Sequence, residues 1–175
     1  MVKEGFLELL RNITGDTVYQ KWIDEYADDQ IELQRYIEVK LRSIKDYRGG
    51  FETFKVPCTL DEVFREMSHE KIEQAIERSQ YNGRIKWFSD RLRIDSEIVK
   101  NLSKPCTDRI VGHVQHLLKE PEVQGTSIFL MVGRFSESPI VQETIIKAFP
   151  TVNVIIPEDP GTVVLKGAVI YGHQH

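Results

Sequence analysis

Ile128-Phe129-Leu130-Met131-Val132-Gly133-Arg134-Phe135-Ser136-Glu137-Ser138-Pro139 is the stretch on which the fold turns. Ile128 to Val132 is an unbroken apolar run, the pattern of a strand buried on both faces. Gly133 begins a turn, Ser138 is placed to cap a helix, and Pro139 suits the first turn of that helix. Ile140, Val141, Thr144, Ile145, Ala148 and Phe149 then recur at the helical period. A second apolar strand runs from Val152 to Ile156. Pro157-Glu158-Asp159-Pro160-Gly161 leads into a last helix, where Lys166-Gly167-Ala168 would let another backbone approach closely. Strand, helix and strand in this order make a crossover, so the two strands are expected to be parallel neighbours.

Towards the N-terminus the texture changes to charge-rich and mostly helical. Val18, Trp22 and Tyr26 share one helical stripe. Asp28 and Asp29 stand where a new helix starts, favoured by its positive end, and Leu33, Ile37, Leu41 and Ile44 continue it. Gly49-Gly50 is expected to end that helix. Phe54 and Val56 alternate with Thr53 and Lys55 as in a strand. Thr59 and Ser68 are read as caps of two short helices, through Met67 and Arg78. Past the Asn82-Gly83 turn, Ile85 and Trp87, then Leu92 and Ile94, alternate around Ser89-Asp90 and predict a hairpin. Ser96 to Leu102 reads as one short helix, with Pro105 opening the next along Ile110, Val111, Val114, Leu117 and Leu118. The organisation is thus α/β, with an α+β N-terminal part, divided at 1–103 and 104–175.

Composition narrows the function classes. The 175 residues are 41% hydrophobic and 29% charged, with a formal net charge of −4. That balance is ordinary for a globular protein and offers no counter-charge to nucleic acid or an anionic membrane. No apolar run approaches the roughly 18 residues of a membrane span, and Met1 to Gly5 lacks a secretory signature. Cys58 and Cys106 lie far apart and read as reduced cytosolic thiols.

Local chemistry leaves alternatives open. A strand, a glycine turn and a helix N-terminus expose backbone N–H groups that suit a phosphate or nucleotide. A tight turn with no ligand explains the same residues. Glu38 and Arg42, four apart on a helix, read by themselves as a surface ion pair. His113 and His116 lack an evident third metal ligand. Asp24, Glu25, Asp28 and Asp29 lack calcium-loop spacing and read as a solvated edge. No Ser/His/Asp order or CxxC pair supports nucleophilic or redox catalysis.

The turn resembles the adenosine loop of the seventy-kilodalton heat-shock chaperones, which reads V-G-G-S-T-R-I-P after an apolar strand. Three phrases are more similar still to the atypical twelve A and B branch of that family: Phe135-Ser136-Glu137-Ser138-Pro139, Ile155-Ile156-Pro157-Glu158-Asp159 and Leu165-Lys166-Gly167-Ala168-Val169. The branch reads G-G-F-A-E-S/A-P, I-I-P-Q-D and L-K-G-A-V at the same spacing. Lys86-Trp87 and Lys104-Pro105 share the likeness, which runs from near Phe6 to Gly172.

The resemblance implies the second lobe of an actin-like, ribonuclease H-like ATPase domain, of which this chain would be a fragment. Residues 1–103 would form its outer subdomain and 104–175 the C-terminal part of its inner one. In the family a helix reading E-x-x-K-R-x-x-S clamps base and ribose. Glu38 and Arg42 match it, so Arg42 would stack on adenine. Leu41 and Lys45 replace the lysine and serine, with Lys40 a quarter-turn away. Gly133 matches the first loop glycine. Arg134 replaces the second, where its side chain either blocks the ribose and α-phosphate or pairs with them. Phe135 and Ser138 complete the implied ATP/ADP contacts.

The phosphate loops D-x-G-T-x and D-x-G-G-G-T are missing, so Mg²⁺ and phosphoryl transfer would need the other lobe. The implied partners are that N-terminal lobe or another protein, with homo-oligomers through an exposed sheet edge, in the cytoplasm. The alternative is a non-catalytic interaction module that keeps the fold without the nucleotide.

Overall fold

A computed structural model describes residues 2–44 and 49–174. These fall into two compact units, 2–41 with 49–103 and 42–44 with 104–174.

The first unit contains α1 (Val2–Thr14), α2 (Asp16–Glu25), α3 (Ala27–Ser43), α4 (Cys58–Ser68) and α5 (Ile72–Glu77) around a small sheet. The sheet is antiparallel, in the order β1 (Phe51–Lys55), β3 (Arg91–Asp95), β2 (Ile85–Phe88). Alternation sorts its faces: Phe54 and Trp87 both stand opposite Leu92, and all three are buried. The Phe6 ring of α1 packs 4.9 Å from that of Phe54. Ser89, at φ 54°, turns the predicted hairpin.

Several local expectations are corrected. Thr59 and Ser68 cap nothing. Pro57 and Lys71 are the N-cap residues of α4 and α5. Thr59 instead accepts from Trp22 and donates to Asp29, and the Ser68 hydroxyl donates to the Phe64 carbonyl. Gly49 and Gly50 do not adjoin the end of α3, whose last residue is Ser43; both have positive φ and precede β1.

The two helices expected between Ser96 and Leu118 are one, α6 (Ser96–Leu117), with Pro105 inside it. Proline removes one backbone bond and opposes a helix interior by about 3 kcal/mol. Here Pro105 is exposed, so the freed carbonyl of Asn101, also on an exposed residue, can turn to water. Val99, Ser103 and Thr107 keep one buried stripe running past it. The Thr107 hydroxyl also donates to the Lys104 carbonyl at 3.0 Å.

Asp95 starts α6 by accepting the Glu97 N–H at 2.8 Å, with Arg84 beside it at 3.4 Å. First that N–H and then the guanidinium hold the Asp95 carboxyl below its ordinary value. Its stabilisation is therefore present above the unfolded value and lost as pH falls through the folded one. Asp95→Ala is expected to lower stability by about 1 kcal/mol near neutrality. It should also flatten the loss of stability below about pH 4, which urea unfolding across pH would measure.

In the second unit β4 (Ile128–Leu130) and β5 (Asn153–Ile155) pair in parallel, Phe129 opposite Val154. Helix α7 (Pro139–Ala148) crosses between them in sequence, and α8 (Val163–Gln174) follows. Ile140, Val141, Ile145 and Phe149 are buried, and the Phe149 ring meets Phe129 edge-on at 5.1 Å. The expectation that β4 is buried on both faces is not met. Ile128 is 55% exposed and Leu130 61%, and the ring contact with Phe149 is made by Phe129, on the other face of the strand.

Candidate functional site

The parallel pairing puts the loops that follow β4 and β5 at the same, carboxyl end of the sheet. In open α/β sheets ligands bind in the crevice at that end. After β4 the chain passes Met131 and Val132 to Gly133, whose φ of 93° and ψ of 161° suit glycine alone. Arg134–Glu137 form a 3-10 turn, and Pro139 opens α7.

Hydrogen bonds fix this loop from within. The Ser136 hydroxyl donates to the Val132 carbonyl at 3.0 Å, and Gln142 Nε2 donates to the Ser136 carbonyl at 2.7 Å. Ser138 is the buried N-cap residue of α7, and its carbonyl accepts the N–H groups of Val141 and Gln142. The predicted side-chain cap is not made; the hydroxyl forms no capping bond.

The loop after β5 clasps the loop after β4. The Gly133 N–H donates to the Pro160 carbonyl at 2.6 Å. A Cβ added to Gly161 would overlap the Glu137 carboxylate and lie 3.5 Å from Arg134 Cγ. Lys166 pairs with Asp159 across the start of α8. Gly133 therefore spends its own N–H on protein. The unpaired leading N–H groups of a helical turn would here be those of Arg134 and Phe135. Arg134 is exposed and Phe135 half-buried.

Of the residues singled out in the sequence, Gly133, Arg134, Phe135 and Ser138 thus meet in one loop. Glu38 and Arg42 lie one turn apart on α3, both half-buried. Glu38 Oε1 sits 2.7 Å from Lys3 Nζ, so α1 takes part in holding its carboxylate. Lys45 lies outside the described residues. Pro160, Gly161 and Gln142 were missed. The parallel crossover was the signal for the first two, since it brings successive loops to one sheet end.

The weaker candidates find ordinary settings. His113 and His116 are exposed on α6, with His116 Nε2 3.9 Å from Glu120. Asp24 accepts from Gln20, and Asp29 from Thr59. No three metal-ligating side chains converge among the described residues. Cys58 is exposed, Cys106 is half-buried, and both are free thiols. An open groove of about 320 Å³ in the first unit is lined by Tyr36, Lys55, Pro57 and Cys58 among others. No helix among the described residues is long and apolar enough to cross a membrane.

No protein-family model matches the chain, and no solved structure does. The chain is 30% identical over 171 residues to Heat shock 70 kDa protein 12B of Homo sapiens, a match covering 96% of this chain and 25% of that protein. It is 28% identical over 169 residues to Heat shock 70 kDa protein 12A of Homo sapiens and to that of Mus musculus, again covering 95% of this chain and 25% of each. The chain thus spans about a quarter of the length of the curated relatives it matches. Along nearly all of its residues, this chain is a homologue of one quarter of the heat shock 70 kDa proteins 12A and 12B.

Proposed function

We propose that this chain carries part of the adenine-nucleotide site of a heat-shock-chaperone-like ATPase, in the second lobe of an actin-like domain. The observation that supports it best is the pair of parallel strands whose carboxyl-end loop runs through Gly133 into α7. That geometry brings backbone donors to the place where α/β sheets bind ligands. Gly133, Arg134, Phe135 and Ser138 would contact the nucleotide there. For Glu38, Arg42 and Lys45 the role rests on the likeness of their helix to the base-clamping helix of the family. Residues 1–103 would then be the outer subdomain and 104–175 the C-terminal part of the inner one, in a cytoplasmic chaperone.

These residues bind but do not hydrolyse, in this reading. Phosphoryl transfer depends on metal positioning and charge stabilisation, and the loops that supply both in the family have no counterpart in the sequence. Lost charge-assisted hydrogen bonds contribute roughly 1.5–3 kcal/mol each. Affinity for ATP and ADP is therefore expected to be weak, roughly millimolar. Titrating isotope-labelled chain with each nucleotide should shift the Gly133 and Arg42 amide resonances. Unmoved resonances at millimolar ATP and ADP would sink the proposal and leave a non-catalytic interaction module.

A further inference from the structure

In the first unit, alternation along the strands leaves one face of the small sheet open to water. Phe51 and Lys55 of β1, Lys86 and Phe88 of β2, and Arg91 and Arg93 of β3 share that face, and all six are exposed. The register sets Lys86 directly opposite Arg93, and Lys55 directly opposite Arg91. Like charges paired in this way oppose folding. Lysines on β1 and β2 can guard the edges of the sheet. Strand β3 is central, however, so edge protection gives Arg91 and Arg93 no purpose. Among the described residues, no carboxylate pairs with Lys55, Lys86 or Arg93, and Arg91 meets Asp90 at 3.7 Å between two exposed side chains. The one acid on this face, Asp95, is held by Arg84 and by the Glu97 N–H. Two rings lie among the cations. Phe51 is 38% exposed, with Lys86 Nζ 5.8 Å and the Arg93 guanidinium 5.2 Å from its centre. Phe88, opposite Arg91, is 49% exposed.

We propose that this face binds single-stranded nucleic acid, with phosphates against the four cations and bases against the two rings. Charge complementarity selects an anionic partner, because anions laid across the two like-charge pairs turn their repulsion into attraction. The rings then choose between anions. An acidic peptide is matched by the cations alone, whereas a base can stack on an exposed phenyl ring or on an arginine plane. A duplex keeps its bases stacked on one another, so only an open strand can use the rings. The formal net charge of −4 had argued against a nucleic-acid surface. Pairing of the three strands gathers on one face the cations that this sum conceals. None of the six residues belongs to the set assigned above to the adenine nucleotide.

Fluorescence anisotropy of a labelled deoxythymidine strand of about twelve nucleotides, mixed with the full chain, tests this. Such a strand holds no adenine for the proposed nucleotide site. Binding is expected at low salt. Log affinity should fall against log salt with a slope of about −2 to −3, as for three or four phosphates at roughly −0.7 each. Lys86→Gln and Arg93→Gln, introduced separately, should each weaken binding by about fivefold or more and reduce the slope by about 0.7. Phe88→Ala should weaken it by about fivefold or more with the slope unchanged, since stacking releases no counter-ion. All three change exposed side chains, so the fold should persist by circular dichroism. Lys119→Gln, at an exposed position on the segment after α6, should alter neither affinity nor slope. Absence of binding at about 0.1 mM chain in low salt overturns the proposal. Binding that none of the three face variants weakens overturns it as well. So does an unaltered affinity of Phe88→Ala, which would mark a surface for acidic polypeptide; polyglutamate should then compete fully.

Discussion

Trp22→Ala is expected to destabilise the first unit by about 3–5 kcal/mol, a large part of the roughly 5–15 kcal/mol that holds a typical domain folded. Trp22 is fully buried, with its ring 5.7 Å from that of Tyr19. Truncation removes the apolar bulk of the indole and leaves a cavity that α2 and α4 cannot fully close. A polar chain is lost as well. Trp22 Nε1 donates to Thr59 Oγ1 at 3.0 Å, and that hydroxyl donates to Asp29 Oδ2 at 2.5 Å. Three helices, α2, α3 and α4, are thus joined through one hydroxyl.

Trp22→Phe separates the two contributions. It keeps most of the ring but deprives Thr59 of its donor, and should cost about 1–2 kcal/mol beyond the lost volume. Urea unfolding followed by circular dichroism, with Trp87 as the remaining fluorophore, measures both. A loss below about 1 kcal/mol for Trp22→Ala would contradict the packing described.

Gly133→Val is expected to have the largest effect in the second unit. The backbone at φ 93° and ψ 161° lies in a region open essentially to glycine, and forcing another residue there costs about 1–3 kcal/mol, most for a β-branched side chain. Space is not the obstacle, because an added Cβ would meet nothing within 4 Å. The strain is relieved only by rotating the turn, which breaks the Gly133 N–H to Pro160 bond and releases one loop from the other.

Amide exchange reads this locally. The Met131 and Asn153 N–H groups, which bond across the two strands, should lose protection by about tenfold or more. Gly112→Ala is the matching control. It sits inside α6 with ordinary φ and open space around it, so alanine should stabilise it by about 0.5–1 kcal/mol. Equal effects at the two glycines would refute the backbone argument. Nucleotide titration of Gly133→Val would further show whether this turn shapes the proposed site.

How much of this was legible beforehand varied with the range of the interactions concerned. The periodicity of Leu33, Ile37 and Leu41, the acidic start at Asp28 and Asp29, the Ser89-Asp90 hairpin and the parallel crossover from Ile128 to Ile156 all follow from spacing along the chain. Each such pattern reports which face a residue turns inward, and neighbours in sequence determine that. The candidate loop was legible to the same degree, as a glycine between an apolar strand and a proline-led helix. Glu38 and Arg42 were not; without the family likeness they are an ordinary pair on a helix face.

What only the tertiary structure decided is which groups meet. Pro105 signals a break locally, yet α6 runs through it because a stripe from Val99 to Thr107 stays buried. Thr59 has the composition of a cap, but Trp22 and Asp29 arrive from other helices and take its hydroxyl. The glycine turn was read as exposing backbone N–H groups, and the Pro160 carbonyl accepts that of Gly133. The apolar run of β4 implied cover on both faces, whereas Ile128 and Leu130 on one face stand exposed and Phe129 on the other meets Phe149. A sequence sets the intrinsic preference of each segment. Donors, acceptors and apolar faces are matched by whichever partners the folded chain brings within reach, and spacing along the chain does not encode that.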